Sequence, residues 1–258
     1  MTWWDGSVHR LWPPEPLPED VGDAELAAHY AYPDSLAAPY VRVNFVTSAD
    51  GAVTLQGHSG PLSSEPDKRV FVLLRALADV IMVGAGTART ETYRGARRPR
   101  RHAGLRRELG LAPVPPIAVV TRSAVLDPAG PLFTDTEVAP LVLTCAAAPA
   151  ARRAALERAG AHVELVGERS VELPTALAAL ARRGLLRVLC EGGPRLFGHL
   201  VAVDAVDELC LTLTPVLAGG DEAERIASGN APEVPRELRL DGALLADGDL
   251  LLRYRRIR

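Results

Sequence analysis

The stretch Leu185-Leu186-Arg187-Val188-Leu189-Cys190-Glu191-Gly192-Gly193-Pro194-Arg195-Leu196-Phe197-Gly198-His199-Leu200 decides the fold class. Leu185–Cys190 is a short, mostly apolar run, as expected of a strand buried on both faces. Pro194–Val201 reads as a helix, with proline in the first turn, where a missing N–H costs nothing. Glu191-Gly192-Gly193 turns the chain between them. The same pattern occurs upstream, where the strand Val80–Val83 runs into Gly84-Ala85-Gly86-Thr87. A third glycine turn, Gly219-Gly220, follows Thr214-Pro215-Val216-Leu217. In an open α/β sheet ligands collect at the carboxyl ends of strands. Glycine lets a phosphate approach the backbone, and a following helix start offers free N–H groups and a positive dipole end.

Working outward, Val41–Val46, Pro116–Thr121, Leu141–Thr144, Ala161–Leu165, Glu208–Leu213 and Leu250–Arg256 are expected strands. Asp67–Ala78, Pro149–Ala159 and Thr175–Arg183 are expected helices, the last stopped by Gly184. This alternation predicts an α/β domain with a largely parallel sheet covered on both faces. Residues 1–39 read as an arm before a single domain, 40–258. Pro13, Pro14, Pro16 and Pro18 favour extended backbone there, and Trp3, Trp4 and Trp12 offer apolar surface to the domain or to a partner subunit. Two long segments, Arg94–Leu111 and Ala218–Asp247, read as irregular. The first carries Arg94, Arg97, Arg98, Arg100, Arg101, Arg106 and Arg107, as a solvated loop, near a phosphate, or against nucleic acid, the last disfavoured because base-stacking aromatics are nearly absent there.

With 258 residues, 48% of them hydrophobic, the chain is large enough for a sizeable core. Its net charge of −3 gives no general attraction to nucleic acid or membrane. Cys145, Cys190 and Cys210 form no metal-spaced cluster, and two of them lie in apolar runs, so buried thiols are expected. The N-terminus lacks the pattern of a signal peptide, and a cytoplasmic protein is expected. Hydrolase elbows, Walker loops and zinc-protease motifs are missing. Among the six histidines, only His58 stands near a candidate site. A site without an obvious nucleophile, base or metal suits hydride transfer, where a cofactor supplies the chemistry.

Six ordered motifs then resemble one family. They are Arg42-Val43-Asn44-Phe45-Val46-Thr47-Ser48-Ala49-Asp50-Gly51, Ser59-Gly60-Pro61-Leu62-Ser63, Leu73-Leu74-Arg75-Ala76, Ile81–Thr87, Leu189–Leu196, and Val206-Asp207-Glu208-Leu209 with Thr214-Pro215 and Gly219-Gly220. Together they resemble the reductase domain of the riboflavin-pathway deaminase-reductases, from about Tyr40 onward. The resemblance implies a dihydrofolate-reductase-like three-layer αβα sandwich, NADPH as cofactor, a homodimer, and reduction of 5-amino-6-(5-phosphoribosylamino)uracil to its ribitylamino product. Carried over, it places NADPH against Val46, Thr47, Ser48, Val83, Gly84, Ala85, Gly86, Thr87, Thr121, Arg122, Ser123, Gly192, Gly193, Pro194, Arg195 and Leu196. Substrate would meet Ser59, Pro61, Arg75 and Glu191, with Asp50 and Glu191 in catalytic positions. Arg122 either clamps the cofactor's 2′-phosphate or is an ordinary surface arginine.

Two features depart from the family. Glu91-Thr92-Tyr93-Arg94-Gly95 replaces its usual Asp-Asp-Pro segment, and Pro61 stands where some members have an aromatic residue. The zinc-deaminase half of bifunctional members has no counterpart in this sequence. The layout is also similar to dihydrofolate reductase, which makes Asp67 a candidate anchor for a pterin, or else an acid that merely starts its helix. Pterin reduction and non-catalytic NADPH binding are the alternative functions.

Overall fold

The computed structural model describes residues 9–12, 21–219, 225–229 and 232–257. Trp3, Trp4 and the prolines at 13, 14, 16 and 18 lie outside the described residues. In chain order the elements are β1 (His9–Trp12), α1 (Asp23–His29), β2 (Tyr40–Ser48), α2 (Glu65–Leu77), β3 (Val80–Gly84), α3 (Ala85–Thr90) and α4 (Ala103–Glu108). There follow β4 (Ile117–Val120), α5 (Pro131–Thr134), β5 (Leu141–Thr144), α6 (Ala150–Arg158), β6 (His162–Leu165), α7 (Leu173–Arg182) and β7 (Arg187–Cys190). The chain closes with α8 (Pro194–Ala202), β8 (Glu208–Thr214), β9 (Leu238–Ala246) and β10 (Asp249–Arg256).

The described strands form one sheet in the order β1-β9-β10-β8-β2-β7-β3-β4-β5-β6. From β8 to β6 every neighbouring pair is parallel, and the β8-β10-β9-β1 margin is antiparallel. Strand periodicity explains the two buried faces. Val80 and Met82 point into a core shared with α7 and α8, together with Val188, Cys190, Leu196 and Leu200. Ile81 and Val83 point the other way, to Phe133 of α5 and Leu156 of α6. On that same side Leu189, Cys210, Leu244 and Leu251 meet α1 and α2 through Leu26, Val70, Leu73 and Leu74. The three-layer α/β class expected from the sequence is therefore present. All three cysteines are buried and free.

Helix α2 starts two residues earlier than the proline suggested. Ser64 is its N-cap, its hydroxyl accepting the Asp67 N–H at 3.1 Å, and Pro66 falls inside the first turn. Residues 21–32 bring Val21, Leu26, Tyr30 and Tyr32 into the core beside α2. Beneath them Arg42 and Glu208, both fully buried, pair at 2.5 Å, and Arg253 meets Glu208 at 3.0 Å. Burial pushes the Glu208 carboxyl up, but the charges and hydrogen bonds of Arg42 and Arg253 outweigh it and hold it down at about 2.

Two expectations need correcting. Ala218–Asp247 is not irregular throughout, because it contains β9. Asp241 and Gly242 interrupt the apolar alternation there, and Gly242 is needed because a side chain would strike the His29 ring. Arg94–Leu111 likewise contains α4, and its arginines have different tasks. Arg106 is buried and donates to the carbonyls of Ala76 at 2.9 Å, Ala78 at 2.7 Å and Ala112 at 2.7 Å. It closes the C-terminal turn of α2, whose last carbonyls lack partners within the helix. A run of charge gives no hint that one member is inside. Replacing Arg106 with leucine leaves several buried carbonyls unpaired, at about 1–3 kcal/mol each. Chemical denaturation of R106L is expected to show a loss of at least about 3 kcal/mol; a loss under about 1 kcal/mol would show that Arg106 does not cap α2.

Candidate active site

Parallel pairing gathers the candidate residues at one rim. Ser48 is opposite Thr214, Met82 is opposite Cys190, and Gly84 is opposite Val120, so the ends of β2, β8, β7, β3 and β4 open on the same side. The turns after β3 and β7 touch directly. The Gly84 N–H donates to the Gly192 carbonyl at 2.7 Å, and the Glu191 N–H donates to the Met82 carbonyl at 2.9 Å. A methyl group on Gly192, which has φ +84°, would lie 2.7 Å from the Phe45 ring, and one on Gly193 would collide with the Thr87 hydroxyl. Gly192 and Gly193 are joined by a cis peptide bond. Gly193 is the N-cap of α8 and offers no side chain, so the first N–H groups of that helix stay open to an anion. Val83, Gly84, Ala85, Gly86, Thr87, Gly192, Gly193, Pro194, Arg195 and Leu196 thus form one continuous floor. Its bare backbone and helix start fit the pyrophosphate of a dinucleotide. Val46, Thr47 and Ser48, all buried, end β2 at this rim, and buried Thr121 with exposed Arg122 and Ser123 follows β4.

Under this floor lies a polar group that the sequence did not reveal as a unit. Arg75 of α2 grips both oxygens of Glu191, Nε to Oε1 and Nη2 to Oε2, each at 2.6 Å. The Tyr93 hydroxyl donates to Oε2, also at 2.6 Å. The Arg75 guanidinium lies 4.5 Å from the centre of the Phe71 ring. Burial opposes the Arg75 charge, but Glu191 outweighs it and raises its pKa further. The Tyr93 hydroxyl is pushed well up by burial and then by the Glu191 charge. Glu191, expected to face the substrate, is 2% exposed at its side chain, whereas Arg75 is 31% exposed. Arg75 therefore presents the open edge of this pair.

The departing segment after α3 supplies the second link. Glu91 Oε1 accepts from the Ser59 N–H at 2.8 Å and the Ser59 hydroxyl at 2.9 Å, and His58 Nδ1 lies 3.6 Å from Oε2. Glu91 and Tyr93 thus bond two residues expected to meet the substrate, Ser59 and Glu191. Sequence comparison marked the segment as different without showing what it touches. Pro61 stays exposed in a short 3-10 turn, Gly60–Leu62.

Two further acids hold loops. Asp50, fully exposed, accepts from the Ser48 hydroxyl at 2.5 Å and from the Gly219 and Ala218 N–H groups at 2.7 and 3.1 Å. The hydroxyl first, then the two amides, lower its pKa to about 2. It ties the turn after β2 to the loop after β8. Asp67 is buried, takes the Ser63 hydroxyl, and is bonded to Thr212. Nearby Asp249 takes the Ser64 hydroxyl and is bonded to Thr214. Asp67 is therefore engaged inside the fold, at the junction of α2 with β8 and β10.

A scan against family models matches residues 39–252 to the RibD C-terminal domain. The chain belongs to that family. A 2,5-diamino-6-ribosylamino-4(3H)-pyrimidinone 5′-phosphate reductase of Archaeoglobus fulgidus is 31% identical over 194 residues, covering 75% of this chain and 88% of the relative. The Aquifex aeolicus protein of the same name is 31% identical over 196 residues, covering 74% and 83%. The crystal structure of a pyrimidine reductase-like protein from Corynebacterium diphtheriae superposes with a TM-score of 0.76 at 29% identity, over 85% of this chain and 92% of that one.

Burial raises the pKa of both Asp67 and Asp249 above the ordinary aspartate value of 3.8. A raised carboxyl pKa favours the neutral form in the fold, so the stability it contributes is complete at low pH and is lost as pH rises through the raised value. Asp249→Asn keeps an acceptor for the Ser64 hydroxyl and cannot ionise. Its melting temperature, relative to the unsubstituted protein, is expected to improve as pH rises above the ordinary aspartate value and to level off once Asp249 ionises in the fold. A difference independent of pH would show that Asp249 ionises in the fold without cost.

Proposed function

We propose that this chain is an NADPH-dependent reductase that converts a phosphorylated ribosylamino pyrimidine to the ribitylamino product. The observation that carries this reading is the glycine floor between β3 and β7, fixed from below by Arg75 and Glu191. The names of the 31%-identical relatives support the substrate class. Bound NADPH would supply a hydride. The open-chain imine of the sugar would accept it at C1′, with a proton taken up at the exocyclic nitrogen, leaving an amine. Gly84–Thr87 and Gly193–Leu196 would hold the pyrophosphate, and Thr47 and Ser48 would line the nicotinamide. Arg75, held by Glu191 through Nε and Nη2 and still part-exposed, would offer its outer edge to an oxygen of the substrate. Glu191 would act by orienting Arg75 and the turn above it, and Asp50 by fixing the loop at 218–219. A cytoplasmic homodimer completes the proposal; no described helix is long and apolar enough to cross a membrane. The bonds that Asp67 makes to Ser63 and Thr212 give no support to a pterin anchor.

The test is NADPH oxidation, followed by loss of near-ultraviolet absorbance, with three substrates in parallel. They are the phosphorylated 2,5-diaminopyrimidinone, its uracil counterpart and dihydrofolate. Turnover of one or both phosphorylated pyrimidines well above dihydrofolate is expected. Dihydrofolate as the better substrate, or no turnover with any, would overturn the proposal.

A further inference from the structure

A cavity of about 340 Å³ lies between α8 and the sheet, at the end remote from the glycine floor. Phe197 and Val201, four residues apart and so on one side of α8, form one wall. Val206 and Leu209, around the start of β8, and Leu238, the first residue of β9, form the other. Pro232 and Pro235 close the cavity from the segment that precedes β9. Strand pairing sets the place. Arg256 is opposite Leu238 and Arg255 is opposite Glu208, so the starts of β8 and β9 meet the end of β10. The active rim is at the other end of β8, where Thr214 stands opposite Ser48. The strand from Leu209 to Thr214 spans about 17 Å.

Three charged side chains also line the cavity, Asp204, Arg236 and Arg256. The two arginines share the one acid. Arg236 Nε lies 3.1 Å from Asp204 Oδ1, and Arg256 Nη1 pairs with the same oxygen and donates to the Asp204 carbonyl at 3.1 Å. One carboxylate does not neutralise two guanidinium groups, so the set carries a surplus positive charge. Arg256 is only 13% exposed at its side chain, and its Nε is buried with no hydrogen-bond partner among the described residues. Buried donors of this kind ordinarily have a partner.

We infer that this cavity is a second binding site, apart from the active rim, for a small apolar molecule that carries one carboxylate. Its size and walls suit such a body, because sites for small molecules are mostly apolar hollows of about 300–1,000 Å³ with a few placed polar groups. Close-packed interiors leave few voids larger than a water molecule, so a hollow of this size walled by phenylalanine, valine, leucine and proline has room for a guest. The charges select the headgroup. Asp204 is taken up by the two arginines and is not free for a cation, whereas the surplus guanidinium charge attracts an anion and its planar fork matches the two oxygens of a carboxylate. A single charge balances the surplus. The multiply charged, polar ligands of the rim would leave apolar walls uncovered and bring more negative charge than the arginines offset.

Three probes test this: 2-naphthoate, 2-naphthalenemethanol and 2-naphthylmethylammonium, which share one ring system and differ in charge. Calorimetric titration of the whole protein, with and without saturating NADPH, reads the cavity apart from the rim. Naphthoate is expected to bind about tenfold tighter than the alcohol, with the ammonium weakest, and NADPH is expected to leave that order and the naphthoate affinity unchanged. Leu238 is 38% exposed, so Leu238→Trp can fill the cavity from its open wall; it is expected to weaken naphthoate about tenfold or more. Arg256→Met is expected to bring naphthoate down to the affinity of the alcohol. Melting temperatures show which variants fold, and Arg236→Met, at a more exposed position, makes the same test should Arg256→Met unfold. No binding of naphthoate, equal affinities for the three probes, displacement of naphthoate by NADPH, or undiminished binding in folded Leu238→Trp overturns the inference. So does sedimentation showing that Leu238→Trp splits a dimer, which would give the apolar walls to a second copy of the chain.

Discussion

The two-pronged pair between Arg75 and Glu191 joins the parts of the site that the chain supplies from far apart. Arg75 comes from α2, Glu191 from the end of β7, and Tyr93 from the segment after α3. A carboxylate this buried requires full compensation, because burial of an unpaired charge costs far more than any single contact returns. It receives two guanidinium donors and one phenol. With its oxygens occupied, Glu191 cannot swing, and the glycine turn that begins at the next residue is held at the level of Gly84. The same pair fixes the one edge of Arg75 that faces outward.

Everything around the pair keeps those three elements in register. Arg106 closes the end of α2 just beyond Arg75, so the helix cannot fray there. The acids Asp67 and Asp249 fasten its other end to β8 and β10 through serine and threonine hydroxyls. Glu91 holds Ser59, and Asp50 holds the loop at 218–219. The acids near the rim therefore position loops and helix ends. Surfaces left open are bare backbone, hydroxyls and guanidinium edges, all of which suit an anionic, multiply hydrogen-bonding ligand.

Strand and helix order could be read because period-two and helical patterns survive in buried elements such as Val80–Gly84 and Pro194–Ala202. The glycine turns were legible for a similar reason: Gly192 and Gly193 are places where any side chain meets Phe45 or Thr87. β9 escaped because Asp241 and Gly242 answer to Arg253 and His29 across the fold, which no local pattern reports. Arg106 and Tyr93 escaped for the same physical reason. A charge in a polar run and a tyrosine in a loop look exposed until the partner carbonyls and carboxylate are brought to them. The motif resemblance located Glu191 and Arg75 separately; only the fold showed that they neutralise each other.

The claim that this pair supports the cofactor floor is tested most directly by a double-mutant cycle on NADPH binding, using Arg75→Met, Glu191→Gln and the two combined, with melting temperatures as the check on folding. Because each single change strands a partner, each is expected to weaken NADPH by about tenfold or more, and the double variant to lose much less than the product of the two. Strictly multiplicative losses, or NADPH affinity unchanged in folded single variants, would contradict the account.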